Sequence, residues 1–352
     1  MFRREAWGRS VGRVSAFVVP PTLVRLGARL VSRRVHNPHL PWEVQRRRLD
    51  KLMGPWPLPR GTSVMKTAWN GVPVEVVMAG WARPRARSGR PSRATRPASG
   101  TAAVTVVHFH GGGYCVGSPA EARDWAAHLS ARAGCRVVLP EYRLAPEHPF
   151  PAAVDDARAV VSAVLGEDAS GTVVVSGDSA GGGLALGAAL ALPGTPDGAA
   201  RLAGCILLSP WLDLTADRAA VPELVHRDVV LNPAWLEACA QAYAPAADRA
   251  QPMVSPLRAD LGGLPPLLIQ CGSDDLLAPD ARNLALRAAA AGVDVTYSRW
   301  PGLWHDFALQ PDITAAAASA LAQAAWFVAR VCARDGLEQR ADTGEGPGAD
   351  VG

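Results

Sequence analysis

A serine between two glycines is the residue best suited to nucleophilic chemistry in this sequence. Ser179 lies in the G-D-S-A-G segment 177–181, directly after the β-branched run 173–175 and before a stretch rich in Ala, Leu and Gly. A G-x-S-x-G pattern between a strand and a helix is typical of a nucleophile elbow, a tight turn that exposes the serine hydroxyl. Glycines avoid the clashes that a Cβ would create there. We predict that Ser179 is a nucleophile, with a plain Gly-rich turn as the alternative.

Three consecutive glycines upstream of this serine could supply backbone N–H donors. They occur in the segment 110–114, directly after another apolar run. Such donors form the oxyanion hole that stabilises a tetrahedral intermediate. We expect the amides of Gly112, Gly113 and Ala180 to form it, because Ala180 follows the nucleophile. A phosphate-binding loop is disfavoured, because no lysine follows the glycines. His110 would lie at the root of the loop, in a structural role.

The general base should follow the nucleophile along the chain in a site of this type. Two histidines, His226 and His305, lie beyond Ser179. His305 occupies a loop directly after the last predicted strand, which returns it to the edge of the sheet that carries the serine. His226 lies in a segment without a preceding strand that ends in an acid. We therefore predict that His305 is the base.

The acid should end the strand that precedes the base. The run 266–271 leads into Gly-Ser-Asp-Asp, so Asp274 and Asp275 compete for the role. One of them should orient the imidazole and stabilise its charged form, while the other caps or solvates the turn. Spacing from the strand does not choose between them. Asp280 is a third candidate, but it fits the N-cap of the following helix better.

Strands alternate with helices around these residues. The predicted strands are 63–69, 72–78, 103–109, 135–140, 172–176, 204–209, 266–271 and 293–298. The predicted helices between and after them are 121–133, 152–165, 182–192, 233–243, 278–291 and 314–333. This alternation predicts an α/β fold with a mostly parallel sheet covered on both faces. Asn70-Gly71 predicts a hairpin, and Pro73 predicts that the second strand lies at a sheet edge.

Three segments fall outside this alternation. Residues 1–60 contain amphipathic helical pieces, and residues from about 215 to 262 interrupt the strand–helix order. Both could cover the carboxyl ends of the strands, where ligands bind in open α/β sheets. Residues 335–352 are rich in Gly and acidic residues and poor in apolar ones. We predict that this tail is disordered.

The composition excludes several functional classes. Hydrophobic residues make up 49% of the chain and charged residues 19%, which allows a large buried core. The net charge of +4 reflects arginines in 3–48 and 83–96, whereas a nucleic-acid binder clusters them on a folded surface. The six cysteines show no zinc-binding spacing. We expect no nucleic-acid partner, no metal, and a reducing, cytoplasmic location. No apolar run has the length needed to cross a bilayer.

These motifs together resemble the hormone-sensitive-lipase-like family of α/β-hydrolase-fold esterases, which includes bacterial carboxylesterases and acetyl hydrolases. The matching stretches follow the family order and are 110–114, 141–152, 177–182, 209–211, 272–277 and 305–307. The resemblance implies a mostly parallel eight-stranded sheet with helices on both faces and a helical cap. The arm 1–60 and the insertion at about 215–262 would build the cap on a catalytic domain of residues 61–334. In the family the acid stands three residues after the glycine that ends the strand, which selects Asp275 over Asp274.

A serine carboxylesterase for short to medium acyl esters is the function that the residues and the resemblance predict. Ser179 would form an acyl-enzyme with His305 as base and Asp275 as its partner, without a metal or an organic cofactor. The alternatives are a deacetylase that tailors a natural product, or a lyase or ligand receptor on the same fold.

The partner and the walls of the substrate pocket are further expectations. The partner would be a small-molecule ester. Tyr114, Trp211 and Trp304 are candidate walls of the pocket, with plain core aromatics as the alternative. The arginine-rich arm leaves peripheral contact with a membrane open, and a homodimer also stays open.

Overall fold

The computed structural model describes residues 19–52, 57–79, 104–167, 171–191 and 202–342. Within these residues the strands are β1 Thr62–Trp69, β2 Val72–Ala79, β3 Thr105–Phe109, β4 Arg136–Pro140, β5 Val173–Asp178, β6 Leu202–Leu208, β7 Leu267–Gly272 and β8 Val295–Trp300. The α-helices are α1 Pro21–Val35, α2 Trp42–Leu52, α3 Arg123–Ala133, α4 Ala152–Glu167, α5 Ser179–Ala191, α6 Pro222–Arg227, α7 Pro233–Tyr243, α8 Ala278–Ala290 and α9 Ala315–Asp342. The chain between β2 and β3, residues 80–103, lies outside the described residues.

One sheet joins the eight strands in the order β1-β2-β4-β3-β5-β6-β7-β8. Strand β2 runs antiparallel to both of its neighbours, and the other neighbouring pairs are parallel. The central strand β5 is buried along its whole length, as expected for a parallel strand with helices on both faces. The predicted α/β fold with a mostly parallel eight-stranded sheet is confirmed.

Two hydrophobic clusters lie on opposite faces of the sheet. Successive residues of a strand point to opposite faces, so Val174 belongs to one cluster and Val175 to the other. Helices α3 and α9 cover the face of Val174, where Trp125 and Phe327 are fully buried. Helices α4, α5 and α8 cover the face of Val175. The sheet therefore has a packed core on both sides.

The prediction that the second strand lies at a sheet edge is wrong. Strand β2 lies between β1 and β4, and the outer position belongs to β1. The β2–β4 ladder begins at Val74, one residue beyond Pro73. Because Pro73 precedes this ladder, its missing N–H costs no bond to β4. Its carbonyl oxygen accepts a hydrogen bond from the Glu141 N–H at 2.9 Å.

Helix α9 extends further than the sequence predicts. It ends at Asp342, so it enters the segment predicted to be disordered; residues 343–352 lie outside the described part of the chain. Leu, Glu, Gln, Arg and Ala in 337–341 are strong helix formers, which accounts for the extension. The expectation that no apolar run is long enough to cross a bilayer is wrong by length and composition alone, because within the described residues the stretch Ala315–Ala333 meets both criteria. Its buried face, with Leu321 and Phe327, packs against the sheet.

The arm and the insertion contact each other through hydrogen bonds. The Asn232 side-chain amide donates to the His36 carbonyl oxygen at 3.0 Å, and the Trp235 indole N–H donates to Gln45 Oε1 at 2.8 Å. Pro21 begins helix α1, a position where proline fits because the first N–H of a helix has no intrahelical partner. Helices α1 and α2 thereby lie against helix α7 of the insertion.

Candidate active site

Ser179 lies at the sharp turn from β5 into α5. Its φ of 52° falls in the left-handed region, which non-glycine residues adopt mainly where the surrounding structure forces it. A Cβ on Gly177 would overlap the backbone of Gly181, and a Cβ on Gly181 would overlap the Phe109 carbonyl oxygen of β3. Both glycines are therefore required by the close approach of backbone segments. This turn holds the serine at the carboxyl end of the central strand.

The glycine loop after β3 lies against this turn. A Cβ on Gly111 would overlap Asp178 Oδ2 and would lie 3.1 Å from the Ser179 Cβ. Gly112 and Gly113 have φ values of 103° and 61°, which few other residues adopt. Gly112 lines the same cavity as Ser179. The loop thus brings backbone groups close to the serine, as an oxyanion hole requires.

Buried polar side chains hold the root of the glycine loop. His108 lies with Nδ1 at 2.9 Å from Ser176 Oγ and Nε2 at 3.0 Å from Asp178 Oδ1. The Tyr142 hydroxyl donates to the His110 carbonyl oxygen at 2.7 Å, and its ring stacks on that of His110. Burial lowers the pKa of His110 to about 4, so this histidine is neutral and structural in its contacts. The sequence analysis missed His108 and Asp178.

Two loops meet at the carboxyl edge of the sheet. The acid loop follows β7 and carries Asp275, and the base loop follows β8 and carries His305. His305 Nδ1 lies 3.0 Å from Asp275 Oδ1, and both side chains are buried. Asp275 Oδ1 also accepts a hydrogen bond from the Leu277 N–H at 2.8 Å, which fixes the carboxylate. Asp275, and not its neighbour Asp274, faces the imidazole.

The two other candidate acids have different partners. Asp274 pairs with Arg25 of α1 at 3.0 Å. Asp280 lies in the first turn of α8, whose N-cap is Leu277, so the N-cap expectation for Asp280 is wrong. The helix begins at Ala278, at the predicted position, so Asp280 lies inside its first turn and not before it. The Asp280 carboxylate instead accepts bonds from two backbone N–H groups of 212–213 and from Arg218. It anchors the start of the insertion.

Asp306 is a neighbour of the base that the sequence analysis missed. Its Oδ2 lies 3.0 Å from His305 Nε2, the nitrogen that would face the serine in a triad. Asp306 has a φ of 55°, and its N–H donates to Ser209 Oγ at 3.1 Å. Its position directly after the histidine was the only signal in the sequence.

The electrostatics of the base follow from these carboxylates. Burial opposes the charged imidazole, but Asp306 and Asp275 outweigh it and raise the pKa of His305 well above its usual value. Burial also raises the pKa of Asp306 to about 7, although the nearby His305 opposes this shift. Both acidic neighbours thus favour the charged form of the imidazole.

Two further charged residues tie the arm and the insertion to the acid and base loops. Asp228 Oδ2 accepts a hydrogen bond from the Leu276 N–H at 2.7 Å, directly beside Asp275. Burial and the nearby Asp275 raise the pKa of Asp228 to about 6. Arg25 reaches Asp274 and the Gly302 carbonyl oxygen, at 3.0 and 3.1 Å. It also donates to a backbone carbonyl oxygen at the end of α6.

A cavity of about 490 Å³ lies over Ser179 and His305. Helices α1 and α2 of the arm form one wall of it, and the insertion and the base loop form the others. Its lining residues include Val24, Ala28, Val31, His36, Leu49, Gly112, Glu121, Val230, Leu231, Trp235, Trp304, Asp306 and Ile313. A volume of this size is typical of small-molecule sites.

The three aromatic candidates lie in different places. Trp304 lines the cavity over the serine. Tyr114 and Trp211 are not among the described residues that line it. Tyr114 is buried and stacks on Tyr243 with ring centroids 3.9 Å apart, because its φ of 65° turns the ring toward α5 and α7. Trp211 lines a neighbouring cavity of about 570 Å³.

One group of side chains in the described residues has the spacing of metal ligands. His128 Nε2 lies 3.0 Å from Asp312 Oδ2 and 3.5 Å from Asp124 Oδ1. This group is partly exposed, and none of its members lines the cavity over Ser179. Two carboxylates and an imidazole also form ordinary ion pairs, so no metal chemistry follows from it.

Comparison with known proteins places this geometry in a family. The family described as having the α/β-hydrolase fold matches residues 106–309. A solved esterase from the bacterial hormone-sensitive lipase family is 33% identical, with a TM-score of 0.76, over 90% of this chain and 100% of that one. The chain belongs to the hormone-sensitive lipase family.

Other relatives of this hormone-sensitive-lipase-family protein are named for ester hydrolysis. An acetyl-hydrolase of Streptomyces hygroscopicus is 40% identical over 228 residues, which cover 64% of this chain and 70% of the relative. A carboxylesterase of Mycobacterium tuberculosis is 33% identical over 229 residues, with 61% and 70% covered. The protein is a carboxylic ester hydrolase, and the predicted family, fold and enzyme class are confirmed.

Proposed function

We propose that this enzyme hydrolyses small, uncharged esters with short to medium acyl chains through an acyl-enzyme on Ser179. The observation that carries this proposal is the cavity that Ser179 and His305 share, together with the position of Asp275 behind the base, 3.0 Å from His305 Nδ1. A nucleophile, a base and an acid arranged in this order support acyl transfer.

The proposed reaction has two steps. The imidazolium of His305 first loses its Nε2 proton to solvent, and Nε2 exchanges its contact with Asp306 for one with Ser179 Oγ. The neutral imidazole then takes the hydroxyl proton as Oγ attacks the ester carbonyl. The amides of Gly112, Gly113 and Ala180 stabilise the oxyanion, with a typical contribution of about 3 kcal/mol per donor. The imidazolium then protonates the leaving alcohol. In the second step His305 activates water, and water releases the acid from Ser179.

The cavity supports the proposed size and charge of the substrate. Its volume of about 490 Å³ and its aliphatic wall from α1 and α2 suit a compact acyl or alcohol group. Among the described residues that line it, none is a lysine or an arginine. Its lining instead includes three acidic residues, Glu121, Asp178 and Asp306. Esters that carry a carboxylate would be poor substrates.

An acetyl ester is the finer alternative within this proposal. The Streptomyces hygroscopicus relative, which shares 40% identity over 228 residues, is named an acetyl-hydrolase. A deacetylase would hydrolyse acetyl esters of a larger alcohol much faster than longer acyl esters of the same alcohol. Rates with p-nitrophenyl esters of increasing acyl length separate the two cases.

The nucleophile is tested by replacement and by covalent labelling. Ser179→Ala should abolish esterase activity without loss of the folded state, because the added methyl group is smaller than the hydroxymethyl group that it replaces. A fluorophosphonate probe should label the wild type and leave the variant unlabelled. Labelling of another serine, located by mass spectrometry, would refute the assignment.

Peripheral contact with a lipid surface is a second proposal, about the outer face of α1. Leu23, Leu26 and Leu30 are each at least half exposed, and they follow the spacing of one helix face. The nearby arginines Arg29 and Arg33 would favour anionic lipid. Flotation with anionic vesicles tests it, and binding that is absent or insensitive to salt contradicts it. A cytoplasmic location and a homodimer stay predictions.

A further inference from the structure

His36, just beyond the end of α1, lines the cavity over Ser179 with a polar ring that the proposed mechanism does not use. Its Nδ1 lies 3.1 Å from the Val230 carbonyl oxygen and 3.1 Å from Ser32 Oγ. The ring packs against the indole of Trp235 with centroids 4.4 Å apart. These contacts hold the imidazole in one orientation between the arm and the insertion.

The protonation state of His36 follows from its partners. The Ser32 hydroxyl donates its single proton to the Val230 carbonyl oxygen, so it has no proton left for the imidazole. Both groups that face Nδ1 are therefore acceptors, and Nδ1 must carry the hydrogen. Burial lowers the pKa of His36 to about 4, and the nearby His305 contributes to this shift while the bond to Val230 opposes it. At neutral pH the ring is uncharged, and its Nε2 carries a lone pair.

That lone pair has no protein partner among the described residues. Two nearby polar side chains are already paired: Ser32 donates to the Val230 carbonyl oxygen, and the buried Gln45 accepts from Trp235 and donates to the Leu40 carbonyl oxygen. His36 is only partly buried and borders the cavity, and its Nδ1 is engaged by Val230 and Ser32, which leaves Nε2 as the ring nitrogen for a ligand. A polar atom without a partner beside a binding cavity favours a ligand that supplies the missing donor.

We propose that His36 Nε2 accepts a hydrogen bond from the substrate, so that the preferred ester carries a hydroxyl or N–H group on the part that reaches α1 and the insertion. This inference rests on the proposed esterase function, because it concerns the same cavity. His36 thereby determines specificity and takes no part in bond cleavage. A site that is built to bind a donor rejects the analogue that lacks it, since the bound analogue displaces water from the acceptor and leaves it unpaired.

Two pairs of esters measure the preference. The first pair is 4-hydroxybutyl acetate and 4-methoxybutyl acetate, and the second is ethyl 6-hydroxyhexanoate and ethyl 6-methoxyhexanoate. The pairs place the donor on the alcohol side and on the acyl side, and the ether retains the oxygen without its proton. Acid release in a pH-stat gives kcat/KM for each ester. We expect the wild type to prefer the hydroxyl compound about tenfold in at least one pair.

Three variants separate the acceptor from the structural contacts of the ring. His36→Phe keeps the ring against Trp235 and removes both nitrogens. His36→Asn can still donate to the Val230 carbonyl oxygen but has no acceptor at the position of Nε2. Both should bring the hydroxyl-to-methoxy ratio close to one. His36→Gln can place its amide oxygen near the position of Nε2, so it should keep most of the preference.

The ratio isolates this role from the effects of folding or docking, which change both esters of a pair alike. A wild-type ratio near one in both pairs overturns the inference and leaves the esterase function intact. An unchanged ratio in the Phe and Asn variants overturns it as well. If the wild type hydrolyses none of these esters and no p-nitrophenyl acetate, the proposed function itself fails and the inference fails with it.

Discussion

The contact between Asp306 and His305 leads to a testable pH dependence. A histidine acts as a general base only when it is neutral, and Asp306 and Asp275 raise the pKa of His305 despite its burial. Activity should therefore fall as the pH drops through a value above the usual range of histidine. Asp306→Asn removes one of the two charges. Asparagine tolerates the left-handed φ of 55° at this position, so the backbone should not change.

The size of the effect follows from the distance. Opposite unit charges 3.0 Å apart attract by ~5 kcal/mol at an effective dielectric constant of ~20. Loss of an opposite charge this close typically weakens proton binding by about ten- to a thousandfold. Where log kcat/KM rises with pH at unit slope, a given fold-decrease in the proton affinity of His305 raises the activity by the same factor. When kcat/KM of each enzyme is divided by its own value on the high-pH plateau, we expect the variant to be at least about tenfold more active than the wild type at a given pH on the acidic limb.

The assay is kcat/KM for p-nitrophenyl acetate between about pH 5 and pH 8, followed at the isosbestic wavelength of p-nitrophenol. Asp312→Asn is the matched control, because Asp312 lies 3.0 Å from another imidazole, that of His128, outside the cavity. The control should leave the acidic limb unchanged. An acidic limb that does not move in Asp306→Asn, or that moves to higher pH, would refute the reasoning.

Two further predictions concern the acid and the arm. Asp275→Asn should lower kcat by about four orders of magnitude, as in other triads that lose their acid. Asp274→Asn should lower it far less, because this change only weakens the pair with Arg25. Steady-state kinetics with p-nitrophenyl acetate would contradict this if Asp274→Asn were the more damaging change. Ala28→Trp should fill part of the cavity from α1 and shift the preference to shorter acyl chains. Leu26→Trp, on the exposed face of the same helix, should leave the acyl preference unchanged. Equal acyl-length profiles for the two variants would contradict the role of the arm as a wall of the cavity.

Local patterns in the sequence were enough to predict the sheet and the turn at its centre that carries Ser179. The β-branched run before Ser179 and the small residues after it specify a strand, a turn and a helix, and each of them requires only neighbours in sequence. The hairpin at Asn70-Gly71 is another case. The strand that contains Pro73 was misplaced because its neighbours in the sheet are set by strands that are distant in the sequence. The residues around Pro73 do not determine which strands pair with it.

The parts of the site that the sequence did not predict depend on contacts between distant segments. Arg25 meets Asp274 across 249 positions of the chain, and Asp228 meets the Leu276 N–H across 48. Nothing in the residue types selects these partners among many charged residues. Tyr114 was a candidate wall of the pocket, but its backbone conformation turns the ring into the core. Such orientations follow from packing and not from position in a motif.

The contacts of Arg25 have a consequence for protein engineering. One guanidinium group on the arm reaches the acid loop at Asp274, the base loop at Gly302 and the end of α6. A change that tilts α1 to widen the cavity would also pull on the loops that carry Asp275 and His305. Substitutions in the arm are therefore expected to change acyl preference and kcat together. Libraries that vary α1 while they retain Arg25 should give more active enzymes than libraries that vary the whole helix.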